Sequence, residues 1–148
     1  MIMVGVDPGN TSGIAIVDGE EIVDMLQLKF DECLNWIMEH DWSDTKTIVC
    51  EDFRLFRNKA QKQVGSDFQT VQIIGALRLI CKQQNIPLVM QMSNILSIAE
   101  RQVGIKMPSK HEEGHEISAL LHVRFYQIRH GLFKSAGQRK AERLAKEA

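Results

Sequence analysis

Two carboxylates stand at equivalent places within the first 51 residues. In MIMVGVDPGNTSGIAIVDGE the apolar, β-branched run Ile2–Val6 reads as a buried strand, and it stops at Asp7, where Pro8-Gly9-Asn10 turns the chain. In TIVCEDF the run Thr47–Cys50 stops in the same way at Glu51. A carboxylate fixed at the end of a rigid strand can hold a cation, or it can simply cap the turn that follows. If the two strands are neighbours in one sheet, Asp7 and Glu51 emerge at the same edge. That arrangement suits Mg²⁺, which takes one or two carboxylates and completes its shell with water and phosphate oxygens. Two such ions can clamp the attacking and leaving oxygens of a phosphodiester.

A third group of polar residues lies late in the chain, in HEEGHEISALLH. HEEGH at His111–His115 satisfies H-E-x-x-H, which on a helix would put two zinc ligands on one face with Glu112 as base. The extended zinc motif then fails. Ser118 stands where it has Gly, Leu121 where it has its last His, and His122 comes one residue late. Pro108 and Gly114 also interrupt a helix through both histidines. On a helical wheel His111, His115, Ser118 and His122 fall within a stripe about 60° wide.

Cations and aromatics interleave after Glu51. FRLFRNKAQK offers Arg54, Arg57, Lys59 and Lys62 to phosphates, with Phe53 and Phe56 able to stack on an opened base or to pack in the core. Arg101, Lys106 and Lys110 form a second basic strip, read as a loop. The formal net charge of −1 conceals this division. Residues 1–52 carry twelve Asp/Glu against two Lys/Arg, and residues 53–148 carry seven against sixteen. A near-neutral total therefore does not exclude a nucleic-acid partner.

The elements that position these groups follow from periodicity. Gly13–Val17 and Glu21–Leu28 continue the first strand into an antiparallel meander. Phe30–His40 has helical spacing, with Leu34, Ile37 and Met38 on one face. Phe68–Gln84 is a helix with Val71, Ile74, Leu77, Arg78 and Cys81 along one side, and Pro87–Met92 a strand. Ser93-Asn94 starts a short helix. His115–His130 is a helix apolar almost all round, hence buried, and Gly131 stops it. Trp36 and Trp42 read as core or helix-end residues. Of the 148 residues, 1–131 form one domain and 132–148 a basic C-terminal helix or tail. No run approaches 18 apolar residues and no signal peptide is indicated, so the expected location is the cytoplasm. Cys33, Cys50 and Cys81 show no CxxC spacing and read as reduced core thiols.

Four stretches in this order resemble RuvC-type Holliday junction resolvases of the phage branch, in the ribonuclease H-like superfamily. VGVDPGNTSGIAIVD is similar to the family's first-strand motif, and IVCEDFRL to its fourth-strand motif with the catalytic Glu. VGSDFQTVQIIGALRLICKQQNIPL is similar to the helix and strand that follow, and HEISALLH to its D/H-x-x-D-A segment. The resemblance runs from Met3 to about Gly131. It implies an α/β fold with a mixed five-stranded sheet flanked by helices, two Mg²⁺ ions (Mn²⁺ as substitute), branched DNA as substrate and a homodimer. In the host cell a phage-encoded enzyme would be cytoplasmic.

Position by position, the resemblance assigns Asp7, Glu51 and His115 as metal ligands and puts Ser118 on a fourth catalytic position where the family has Asp. A serine hydroxyl is a poor Mg²⁺ ligand beside a carboxylate. A branched-DNA-binding protein with weak or lost nuclease activity is therefore the alternative. The family's aromatic near the junction centre corresponds to Phe53 or Phe56, and an apolar ridge on the Phe68–Gln84 helix would serve as a dimer surface. An actin-like or sugar-kinase fold also opens on an Asp-Gly hairpin, but it needs two lobes to enclose ATP.

Overall fold

The computed structural model describes residues 1–53, 66–109 and 113–148, the side chains of Ser66 and Asp67 excepted. The chain begins with the meander β1 (Ile2–Asp7), β2 (Thr11–Asp18) and β3 (Glu21–Lys29). Helix α1 (Phe30–Glu39) leads to β4 (Thr45–Glu51), and α2 (Ser66–Gln84) to β5 (Leu88–Gln91). A single 3-10 turn (Ser93–Ile95) precedes α3 (Leu96–Val103), followed by α4 (His115–Arg129) and α5 (Ala136–Glu147).

The strands form one sheet in the order β3-β2-β1-β4-β5. The meander is antiparallel, whereas β4 joins β1 and β5 joins β4 in parallel. This is the mixed five-stranded sheet flanked by helices that the sequence led us to expect. β2 begins at Thr11, earlier than the apolar run suggests, because Thr11 already pairs with Lys29 across the hairpin.

Strand alternation divides the core in two. Val4, Val6, Ile14, Ile16, Ile48 and Cys50 pack against Cys33 and Ile37 of α1 and Ile73, Ile74, Leu77 and Cys81 of α2. Met3, Ala15, Val17 and Val49 face the other way, onto Ala119, Leu120 and Val123 of α4. Helix α3 closes the outside of α4, with Ala99 and Val103 against Leu121.

Several helical faces differ from the expectation. Met38 is 70% exposed, because α1 turns Cys33 and Ile37 to the sheet. Val71 is half exposed and Arg78 exposed, because α2 buries Thr70 and Ile73 beside the expected Ile74, Leu77 and Cys81. Arg101 lies in the last turn of α3 and not in a loop. Trp42 is buried, its indole N–H donating to the Ile37 carbonyl at 2.9 Å. All three cysteines are free and buried.

Helix α4 lies unusually close to the sheet. A Cβ on Gly5 would sit 2.1 Å from the Ala119 carbonyl oxygen, and one on Gly13 1.9 Å from that of His115. Glycine in a strand interior commonly marks such a close backbone approach. The helix is not apolar all round, since Ser118, His122, Arg124 and Gln127 are buried with the apolar residues. The Arg124 guanidinium donates to the carbonyls of Gly19 and Glu20 at 2.6 and 2.7 Å and lies over the Phe133 ring. Gln127 accepts from Arg124 and donates to Gly19. These bonds fix the β2–β3 turn to the far end of α4. Among the described residues no helix is long and apolar enough to cross a membrane.

Candidate active site

The alternation that builds the core also aims the site. Val6 and Cys50 point toward α1 and α2, so the next residues, Asp7 and Glu51, point toward α4. Val6 and Cys50 are paired across the parallel β1–β4 ladder, and one further step sets Asp7 beside Glu51 on strands about 4.8 Å apart. Gln91 ends β5 and is the partner of Glu51 in the next ladder. Three parallel strands thus finish in Asp, Glu and Gln along one edge.

Helix α4 covers that edge with three residues at helical spacing. His115 Nδ1 lies 3.2 Å from Asp7 Oδ2. The Ser118 hydroxyl makes a long contact of 3.4 Å with Glu51 Oε2, and His122 Nε2 lies 3.0 Å from the same oxygen. His122 Nδ1 is 2.8 Å from the Gln91 side-chain oxygen. Ser118 and His122 are buried, while Asp7, Glu51 and His115 keep part of their surface open to solvent.

The hydrogen bond to Asp7 raises the affinity of His115 for its proton; burial opposes it, and the charges of Asp7, Glu116 and Glu51 add to it. A pKa raised in the folded state means the pair stabilises the fold fully below the unfolded value of about 6.5 and loses that contribution as pH rises through the folded pKa. In Asp7→Asn the His115 ring, followed by NMR, should titrate at lower pH than in the parent. An unshifted titration would show that the pair is not formed in solution. Cys50 takes no part in the site. Its thiol lies on the opposite face of β4, and burial, with the charges of Asp7, Glu51 and Asp52, holds it well above the usual thiol range.

The donor set fits a hard divalent cation. Asp7 and Glu51 present carboxylate oxygens from adjacent strands at a solvent-accessible edge, as Mg²⁺ or Mn²⁺ requires. Among the described residues no three His, Cys, Asp or Glu side chains converge into a ready metal cage. A structural zinc site needs such a cage, whereas Mg²⁺ is commonly held by one or two carboxylates with water and substrate oxygens.

The remaining predicted residues are distributed more widely. Phe53 is partly buried against the α1/α2 core and lines a groove of about 260 Å³ with Asp52, Val71, Ile74, Gly75 and Arg78. Lys106 is exposed, and Arg101 lines a separate groove between α3 and the start of α5. Arg54, Phe56, Arg57, Lys59, Lys62 and Lys110 lie outside the described residues, as do His111 and Glu112 of HEEGH. Gly114 has a left-handed φ of 95° and α4 starts only at His115, so no helix runs unbroken from 111 to 115.

Gln91 and the role of His122 are the site features that the sequence reading missed. A signal for Gln91 was present. LVMQ ends an apolar strand on a polar residue, just as MVGVD and TIVCE do.

No protein-family model matches the sequence, and no curated protein is significantly similar to it. Similarity appears among solved structures. The structure of T. thermophilus RuvC in complex with Holliday junction substrate superposes with a TM-score of 0.58 at 14% identity, over 91% of this chain and 99% of that one. A second Thermus thermophilus RuvC structure gives a TM-score of 0.59 at the same identity and coverage. The fold is RuvC-like.

Proposed function

We propose that this protein is a divalent-metal-dependent endonuclease that resolves Holliday junctions and other branched DNA. The observation that carries the reading is the placement of Asp7 and Glu51 side by side beneath His115, in the fold of a protein whose structure holds a Holliday junction. Asp7 and Glu51 would hold the cation or pair of cations, with His115 adjoining Asp7. When bound, such ions activate water and compensate charge on the phosphodiester. The chain itself supplies fixed carboxylates at a rigid edge, a proton held at His115 Nδ1, and a surplus of cations after residue 52 for the DNA backbone.

Cutting two opposed strands of a junction calls for two sites, hence a dimer. An apolar stripe on α2 supports this, with Phe68, Val71 and Leu79 exposed. Gly75 lies on the same side, with nothing within 4 Å of a Cβ built there. The test is incubation of purified protein with an end-labelled four-way junction and Mg²⁺ or Mn²⁺. Paired incisions near the branch point, absent on linear duplex of the same sequence, are the expected result. Equal cutting of duplex would overturn the substrate assignment. Tight junction binding without incision would establish the second reading, a binding protein, which the neutral Ser118 against Glu51 favours.

Ser118→Asp separates these readings further. Ser118 is 2% exposed and touches Glu51 Oε2, so an Asp there brings two carboxylates together in partial burial. The metal-free variant should melt several degrees below the parent. Adding Mn²⁺ should recover most of that loss, and the Mg²⁺ needed for cleavage should fall about tenfold, because the site gains a hard anionic ligand. A parent already saturated at low Mg²⁺, and slowed by the Asp, would show a site complete without it.

A further inference from the structure

Both described contacts to Glu51 from α4 fall on a single oxygen. His122 Nε2 and Ser118 Oγ address Oε2. Among the described residues no donor addresses Oε1. His122 is fully buried, and both its ring nitrogens are engaged, one by Glu51 at the end of β4 and the other by Gln91 at the end of β5. A carboxylate only accepts, so Nε2–H is the donor at Glu51. The Gln91 amide can meet Nδ1 with either its oxygen or its NH₂ group, which satisfies the ring in either protonation form.

An imidazole held at both nitrogens in a packed interior cannot rotate, and it fixes the carboxylate it addresses. We infer that His122, held by Gln91, is a positioning residue that locks Glu51 with Oε2 engaged by the protein and Oε1 left for a cation. The inference rests on the metal-site reading above and assigns the pair Gln91–His122 a role in it. Partners of this kind, one step removed from a metal, typically change metal affinity by about 10–100-fold. The arrangement also gives Ser118 a purpose. At that position the hydroxyl adds a second donor to Oε2.

The test compares two amides at position 122, with Mn²⁺ binding to the DNA-free protein read by the EPR signal of free Mn²⁺. In His122→Gln the side-chain nitrogen reaches the place of Nε2 and can still donate to Glu51. In His122→Asn it reaches only the place of Nδ1 and keeps Gln91 alone. Both bury a similar neutral group, so a merely structural histidine predicts equal behaviour. The positioning role predicts a Mn²⁺ Kd within about threefold of the parent for Gln and weakened about tenfold or more for Asn.

Should the Asn variant fail to fold, Gln91→Ala, at a partly exposed position, should still weaken Mn²⁺ binding severalfold. Unchanged affinity in Gln91→Ala, or equal affinities in the two amide variants, would overturn the inference. If the parent's Mn²⁺ binding is lost in Asp7→Asn yet indifferent to position 122, this inference alone fails. A parent that binds no Mn²⁺ overturns the metal-site reading and the inference together.

Discussion

Asp7→Asn is expected to lower junction cleavage by about 10³-fold or more while leaving junction affinity within about twofold, a loss at the upper end of that for removing one preorganised electrostatic group. The change is isosteric, and an Asn carbonyl can still accept from His115 Nδ1, so the contact between α4 and β1 survives as a neutral hydrogen bond. What disappears is one of two negative charges at the strand ends. Carboxylate charge is what lets protein oxygens displace water from a divalent cation. Binding should persist because the cations after residue 52, which would meet the phosphates, are untouched. The measurement is single-turnover cleavage of a labelled junction beside a gel-shift titration of the same preparation. An Asp7→Asn protein that cuts as fast as its parent removes the nuclease reading. One that neither cuts nor binds would place Asp7 in the DNA-binding surface.

The strand ends were legible in sequence because two physical signals coincide there. A β-branched run gives way at once to an acidic residue and a turn, and period-two alternation then fixes which face that residue takes. Glu51 therefore needed only the parallel β1–β4 ladder to come beside Asp7. Helical faces were less legible. α2 carries apolar residues on more than one side, so its spacing allows a stripe through Val71 as readily as one through Ile73, and only the sheet decides between them. His122 sat in the right helical stripe beside His115 and Ser118. Its partner Gln91 is neutral and distant in sequence, and no local pattern ties a glutamine on one strand to a histidine on a helix. The basic loop after Phe53 was read from its cations and interleaved aromatics, and most of it lies outside the described residues.

Gly13→Ala should be among the most damaging small substitutions in the protein, although it adds only a methyl group. The new Cβ would sit 1.9 Å from the His115 carbonyl oxygen, 2.0 Å from its carbon and 2.4 Å from the Glu116 nitrogen. All three are backbone atoms, so no side chain can swing away, and the first turn of α4 must lift from the sheet. Overpacking a core ordinarily costs about 1–3 kcal/mol, and a clash with rigid backbone belongs at the top of that range or above it. For a domain of this size, about 3 kcal/mol corresponds to a fall in Tm of roughly 6–12 °C. The position of the clash also matters for the chemistry. Gly13 is the direct cross-strand partner of Asp7, so lifting His115 there carries its ring away from the Asp7 carboxylate. The hydrogen bond to Asp7 is the largest influence holding the His115 pKa up. NMR titration of the variant should therefore show His115 moving back toward about 6.5. Thermal melting and this titration test the same displacement by independent routes. A Gly13→Ala protein with parental Tm and an unshifted His115 would show that α4 does not rest on Gly13, and the geometry on which Asp7, Glu51 and His115 converge would have to be redrawn.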